Sequence, residues 1–425
     1  MAMDLDRLSE SDQTYVGCDD AGDVGTDPDV EFPDGGAQAW LAILGGTASM
    51  FCTMGFLNAF GIFQDYYSQN QLKSYSQSTI AWLGSVQIFF EFACGIVSGP
   101  LFDRYGTIAF IPASVTYVVS IMLTSLCREF WQFFLAQTLL GGISIGFIFT
   151  PGVAIVGHYF QKKRAFAMGV VVSGSSIGGL VFPIVLNRLL YNNHLSFGWS
   201  VRICGFIIMV GLAFAALVLK PRFPPQKRNF DKSILRSQLY ILTVIGVWLI
   251  NWGMYVPFFY LPSYAIKQGM SPSLAPYMVA ILNGASLFGR ILTGMVADEF
   301  GRYDVLAAVA VFSSVLLFCW QAISSNAGII VFSVVAGFFM GALVSLYPSC
   351  IVQIIPDPKN SGVVLGISST IWAFACLTGT PVAGAILSAH SFAQVGDFAG
   401  AVVLAGGAIV AAARIVAQPK LSRRF

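Results

Sequence analysis

The sequence predicts an all-α polytopic membrane protein of twelve transmembrane helices in two six-helix halves. Composition, apolar windows and an internal repeat carry this prediction. Of 425 residues, 56% are hydrophobic and only 10% charged, and the mean hydropathy is +0.73. A chain this apolar cannot wrap a wet surface around a single core, which excludes an ordinary water-soluble globular protein. Apolar windows of about 20 residues, the length that crosses a hydrocarbon layer, occur twelve times. Gly99, Asp103 and Gly106 after the second window recur as Gly294, Asp298 and Gly301 after the eighth, at an offset of 195 residues.

The chain begins with an acidic segment. Of its 21 acids, 11 lie between Asp4 and Asp34. Residues 1–33 hold too little apolar surface to offset their ordering entropy, so disorder is expected there. The segment lacks the basic start and apolar core of a signal peptide, so the first helix is expected to remain as an uncleaved anchor. A solvated tail without a specific partner outweighs a recognition motif, because such composition is generic.

The spans fall near residues 41–63, 79–101, 108–126, 131–156, 165–188, 200–219, 239–265, 275–297, 304–323, 328–354, 363–387 and 397–416. Between spans six and seven lies the most basic connection, from Lys220 to Gln238, with Pro221, Pro224 and Pro225. The expected organisation is an acidic cytosolic tail (1–38), a first half (39–219), a basic cytosolic loop (220–238), a second half (239–417) and a short cytosolic tail (418–425). Placing the amino terminus in the cytosol puts fifteen Lys and Arg of the loops and carboxy-terminal tail inside and five outside. That bias favours both termini inside. Repeated halves of this kind are a transporter signature, with a solute site near the midplane.

The eight cysteines are scattered singly, without CxxC pairs, and support neither a disulfide framework nor a metal site. His158, His194 and His390 are far apart in sequence and form no cluster. No cofactor is expected, nor any nucleic-acid partner. The expected partners are the lipid bilayer, a small solute and, where transport is coupled, protons. An intramembrane enzyme would require a nucleophile, base or metal set at one depth, and the sequence offers none.

Between spans four and five, Tyr159-Phe160-Gln161-Lys162-Lys163-Arg164 leads into Ala165-Phe166-Ala167-Met168-Gly169 and then Ser173-Gly174-Ser175-Ser176-Ile177-Gly178. Three cations between two apolar segments read as a cytosolic turn, and small residues at helical spacing read as a closely packed fifth helix. With the twelve spans, the basic mid-chain loop and the two GxxxD-x-x-G loops, the chain resembles the major facilitator superfamily. Within it, this stretch resembles the monocarboxylate transporter family. Asp34-Gly35-Gly36 before span one also fits that family, although Trp40 stands one residue later than usual and Ala37 replaces an aromatic. Pro33 to Trp40 resembles fungal members.

The resemblance implies a major facilitator fold and a secondary active carrier of a small organic anion or carboxylated metabolite in the plasma membrane. The alternatives are an exporter of a larger ring-containing secondary metabolite and a non-transporting nutrient sensor. It further implies gating carboxylates at Asp103 and Asp298, with Arg104 and Arg302 beside them. Thr107 and Ile108 stand where relatives carry Arg or Lys.

Charges inside spans are costly and mark function. Glu91 in span two and Arg290 in span eight lie deepest. Arg290 resembles the family arginine that binds a carboxylate, a bidentate match for a guanidinium. Ser286 replaces the acid one turn earlier, and the Asn58-Ala59-Phe60-Gly61-Ile62 stretch lacks the span-one lysine. The usual proton relay is therefore incomplete, and Glu91 is read either as a substitute proton carrier or, equally, as a buried carboxyl held by Gln87 or a nearby Arg. Span seven, rich in rings and broken by Pro257 and Pro262, adds Asn251, Tyr255 and Tyr260 as substrate candidates, alongside Asn58 and Asn283. Asp34 is read as a cap for the first helix.

Overall fold

A computed structural model describes residues 32–192, 195–223, 233–271, 274–275, 277–355 and 360–416. The expected disorder of the acidic tail, most of the basic mid-chain loop and the short final tail lie outside the described residues. The helices are α1 (Ala37–Gln69), α2 (Gln77–Ala93, continuing as Gly95–Tyr105), α3 (Phe110–Thr124), α4 (Phe130–Tyr159), α5 (Arg164–Asn187) and α6 (Phe197–Val218). They continue as α7 (Gln238–Lys267), α8 (Tyr277–Phe300), α9 (Arg302–Cys319), α10 (Asn326–Ile354), α11 (Ser361–Ala389) and α12 (Phe392–Val416). These twelve helices make the fold all-α among the described residues.

Local chemistry starts and stops them. Ser76, Ser237 and Ser325 cap α2, α7 and α10, each accepting a backbone N–H three residues on. Gly106 (φ +65°) and Gly301 (φ +105°) end α2 and α8 in backbone conformations that favour glycine. They are the two closing glycines of the repeated loop, so that part of the repeat encodes a turn. The first helix of each half is broken near its middle, α1 at Thr53 and Asn58 and α7 at Tyr255, just before Pro257. Discontinuous helices of this kind line cavities in membrane carriers.

Helix α1 reaches Gln69, six residues past the expected 63, because its last turns carry Gln64, Asp65 and Ser68, which close an apolar window but not a helix. Exposed Asn58, Gly61 and Asp65 share one face of this segment. A polar stripe does not face hydrocarbon.

The first half packs on an aromatic cluster in which Tyr67 lies 4.3 Å from Phe133 by ring centroid and donates to Gln137 Oε1 at 2.7 Å. The core of the second half continues across the interface to include Val171, Val172 and Phe102 of the first.

Two seams join the halves. In one, α2 lies against α11 and the GxxxG pair Gly95/Gly99 meets the pair Gly362/Gly366, so closely that a Cβ on Gly99 would collide with the Gly362 carbonyl. Thr370 Oγ1 accepts from Ile96 N and donates to the Ala93 carbonyl, both at 3.0 Å. In the other, α5 lies against α8, Gly169 abutting the Arg290 carbonyl and Gly294 abutting Ala165. In lipid, such backbone approach is a main source of helix association. The remaining GxxxG pairs join helices within a half: Gly142/Gly146 on α2, Gly174/Gly178 on α1, Gly337/Gly341 on α8 and Gly396/Gly400 on α9. Both seams run from the α4–α5 turn toward mid-span. The outer segments of α1 and α7, Phe60–Gln69 and Val256–Lys267, pack within their own halves.

Candidate functional site

The α5–α8 seam is a ladder of polar contacts. At its top, Asn58 of α1 and Asn283 of α8 meet over Gly179 of α5. A Cβ on Gly179 would lie 2.9 Å from Asn58 Nδ2 and 3.1 Å from Asn283 Oδ1. Asn58 is exposed and donates to the Ser175 carbonyl at 3.4 Å. Asn283 is fully buried; it donates to the Val279 carbonyl and leaves Oδ1 without a hydrogen-bond partner.

One turn lower, Ser176 and Ser286 share a hydroxyl–hydroxyl bond of 2.7 Å across the seam. Beneath them, Arg290 Nη1 donates to the Val172 carbonyl and to Ser175 Oγ, while Nε has no partner. Arg290 thus sits behind the serine pair and is bonded to the opposite half. It forms no ion pair with Glu91.

Glu91 belongs to a second group. Its carboxyl is fully buried, and neither oxygen has a hydrogen-bond partner. Tyr255 of α7 and Tyr347 of α10 lie within electrostatic reach of both Glu91 and Arg290, and Cys376 of α11 within reach of Glu91. The two tyrosine hydroxyls approach each other, but Tyr255 Oη completes no bond of regular geometry. Tyr117 of α3 also lies within electrostatic reach of Glu91. Removing a polar group from water without a partner is costly. Glu91, Tyr255 and the Arg290 Nε therefore form a buried set that still has bonding capacity.

At the closed ends of the seams each repeated carboxylate grips the amino terminus of a helix from the other half. Asp103 accepts from Gly362 N at 2.9 Å and Val363 N at 2.7 Å. Asp298 accepts from Ala165 N at 3.0 Å and Phe166 N at 2.8 Å. The first N–H groups of a helix have no partner within it and carry its positive dipole end, so a carboxylate suits both. Arg302 reinforces the second clamp, donating to Asp298 at 2.9 Å and to the Gln161 carbonyl at 2.7 Å. At the 195-residue offset the first copy carries Thr107 in place of Arg302. Arg104, expected at this gate, is exposed, and its guanidinium lies over the Tyr105 ring. It is one residue from Asp103, and adjacent helical side chains point in different directions.

Asp34 does not cap α1 as expected. Its Oδ1 accepts from Gln161 N and Lys162 N at 2.8 Å and Lys163 N at 3.3 Å, and its own N–H donates to the Tyr159 carbonyl. It does so at φ +43°, a strained position for a residue with a side chain. Trp40 packs on Phe160 and Phe166 with centroids 5.4 and 6.1 Å away. The two stretches that carry the subfamily resemblance are thus one physical unit.

Of the span-seven candidates, only Tyr255 joins the central group. Asn251 donates to the Val247 carbonyl of its own helix, and Tyr260 donates to the Thr380 carbonyl of α11. Sequence reasoning missed Ser175, Ser176 and Tyr347. Among many serines and tyrosines in apolar spans, nothing local separates these three. The spacing of Ser176 from the Gly174/Gly178 pair, on the opposite face of α5, was the available signal.

Two six-helix halves joined by seams at one face, with broken first helices and a central polar group, define a polytopic membrane carrier. The chain belongs to the major facilitator superfamily: the family model "Major Facilitator Superfamily" matches residues 39–320. It is 45% identical over 399 residues to the aspyridones efflux protein apdF of Emericella nidulans, covering 93% of this chain and 82% of that protein. It is 40% identical over 408 residues to the agnestins efflux protein AgnL12 of Paecilomyces divaricatus, covering 95% and 93%. Among solved structures, the human organic anion transporter MFSD10 has a TM-score of 0.68 at 15% identity, covering 88% of this chain and 98% of the other. The E. coli fucose:proton symporter FucP has a TM-score of 0.67 at 16% identity, covering 86% and 98%. The family and these relatives are transporters, not enzymes.

Proposed function

We propose that this protein exports a ring-containing secondary metabolite, rather than taking up a small organic anion. The observation that carries this reading is the neutral end of the α5–α8 seam, formed by Asn58, Asn283 and the Ser176–Ser286 pair. Asn58 and Asn283 lie on one side of the Ser176–Ser286 pair, and Arg290 lies on the other with Nη1 bonded to α5. The efflux names of the two fungal relatives support the same direction. The stretches that resemble the monocarboxylate transporter family come without that family's usual relay.

Transport proceeds by rocking of the two halves. In this reading Asp103 and Asp298, bonded to helix termini of the opposite half, hold a gate at the α4–α5 face closed. With both termini cytosolic and the protein in the plasma membrane, this is the state from which an exported solute leaves. Glu91, buried and unpaired between the halves, is the group that would carry a proton in the opposite direction.

The test is export from loaded proteoliposomes of a panel of ring-bearing metabolites and small carboxylates, with and without a pH gradient. Selective movement of ring-bearing compounds is expected; movement of small carboxylates alone would overturn the reading. The second reading, a carboxylate clamp, rests on the free Nε of Arg290. It requires Arg290→Ala to abolish transport of carboxylated solutes while leaving expression and folding intact.

A further inference from the structure

On the outer side of the first half, α3 and α4 flank a groove of about 530 Å³ beside the connection between them. Cys127 and Ala136, small and buried, form its floor, and exposed Leu126, Trp131 and Leu135 stand around it. Large exposed apolar side chains on spanning helices face hydrocarbon, so the bilayer supplies what fills the groove. It follows α4 from Gln132 to Ile143, about 15 Å, which is the depth of one leaflet of a hydrocarbon layer about 30 Å thick. Only the end near the connection is polar, where exposed Arg128 and Glu129 mark the membrane surface. Gln132 Oε1 accepts from Arg128 N at 2.7 Å and Glu129 N at 3.1 Å, which fixes the amide, and among the described residues Nε2 has no acceptor. Along the groove, Phe134–Gly141 is wound as a π-helix, a rare form that recurs at functional sites. Its inner side is held by other helices: Gln137 accepts from Tyr67 of α1 at 2.7 Å, and Thr138 donates to the Leu83 carbonyl of α2 at 2.9 Å. The groove is therefore preformed.

We propose that this groove binds a membrane sterol, its hydroxyl accepting from Gln132 Nε2 at headgroup level and its fused rings lying over Cys127 and Ala136. Three features select a sterol over a phospholipid. The lining offers one neutral donor and no Lys or Arg to meet a phosphate. Its single polar end and one-leaflet length match a molecule with one small polar group and an apolar body. Small floor residues between large walls leave a slot for a rigid, flat body, which gives up little conformational freedom on docking, whereas an acyl chain gives up its rotations. The site faces the bilayer and not the transported solute, so it stands apart from the exporter reading.

The test is photolabelling of the full chain in phosphatidylcholine nanodiscs with a diazirine analogue of cholesterol, mapped by peptide mass spectrometry. A phosphatidylcholine carrying the diazirine on one acyl chain is the comparison probe. The sterol probe is expected to label residues 123–143 saturably and to be displaced by cholesterol, while the acyl probe labels this stretch no more than the other lipid-facing helices. Ala136→Phe fills the floor and should cut sterol labelling by about tenfold or more. Gln132→Glu keeps an oxygen for the two backbone amides but removes the donor, and should weaken displacement by cholesterol about threefold or more. Sterol labelling that does not saturate, or that spreads evenly over the lipid-facing helices, overturns the proposal. So does preferential labelling by the acyl probe, which would make this a phospholipid chain site, and so does labelling and displacement unchanged in either variant. The two probes on the unmodified protein decide the matter even if a variant does not fold.

Discussion

Replacing Asp298 by Asn tests the gate at one atom pair. Its two oxygens hold Ala165 N and Phe166 N, and Oδ1 also pairs with Arg302, whose side chain is 1% exposed. Hydrogen bonds to a charged acceptor are each worth about 1.5–3 kcal/mol. Asn keeps one acceptor oxygen and turns an N–H toward the other donor, so one such bond is lost outright. Arg302 also loses its anion, and breaking a buried pair costs about 3–5 kcal/mol, which its remaining bond to the Gln161 carbonyl reduces. A net destabilisation of about 3 kcal/mol shifts the closed population by more than a hundredfold. Ala165 and Phe166 are first-turn amides without helical partners, so their hydrogen exchange reads the clamp directly. Exchange at those two amides should accelerate by about that factor in Asp298→Asn protein in nanodiscs. The Gln161 to Lys163 amides, held by Asp34, should remain protected. Unchanged exchange at Ala165 and Phe166 would refute the clamp.

The other expectations concern packing, the turn and coupling. Gly99→Ala places a methyl group against the Gly362 carbonyl, so the α2–α11 seam should open, lowering thermal stability by about 1–3 kcal/mol of overpacking strain; a melting temperature equal to that of the parent would contradict the contact. Asp34→Ala removes an acceptor shared by three amides, and should raise exchange at Gln161–Lys163 by about tenfold or more while Ala165 and Phe166 stay protected. Glu91→Gln removes the titrating carboxyl between the halves. If Glu91 carries the coupled proton, the pH dependence of transport disappears; transport with an unaltered pH profile would remove Glu91 from that role.

The fold was legible because lipid imposes its own period and length on the sequence: apolar windows, breaks at Pro and Gly, and GxxxG pairs all report on the bilayer. Asp103, Asp298, Glu91 and Arg290 were legible for a related reason, since a charge in or beside an apolar span stands out. What escaped was pairing at long sequence distance. Asp34 is a good helix cap by local rules, and only the arrival of the α4–α5 turn, 127 residues away, gives its carboxylate three other amides to hold. Ser176 and Ser286 look like packing residues until the seam brings their hydroxyls together. Arg104 was read as a gating residue because it follows Asp103, but the helix turns it outward. Arg302, four residues from Asp298, stays on the same face and engages it.

The strained hold of Asp34 ties the chain preceding α1 to the turn that leads into α5. Lys163, whose amide it binds, is two residues from Ala165, whose amide Asp298 of the other half binds. A pull, a bulky tag or an added charge close to Phe32 would therefore act on the end of α5 rather than on a passive leader. Reporter groups fused to this terminus should be separated from Phe32 by enough flexible linker to leave that short path unloaded.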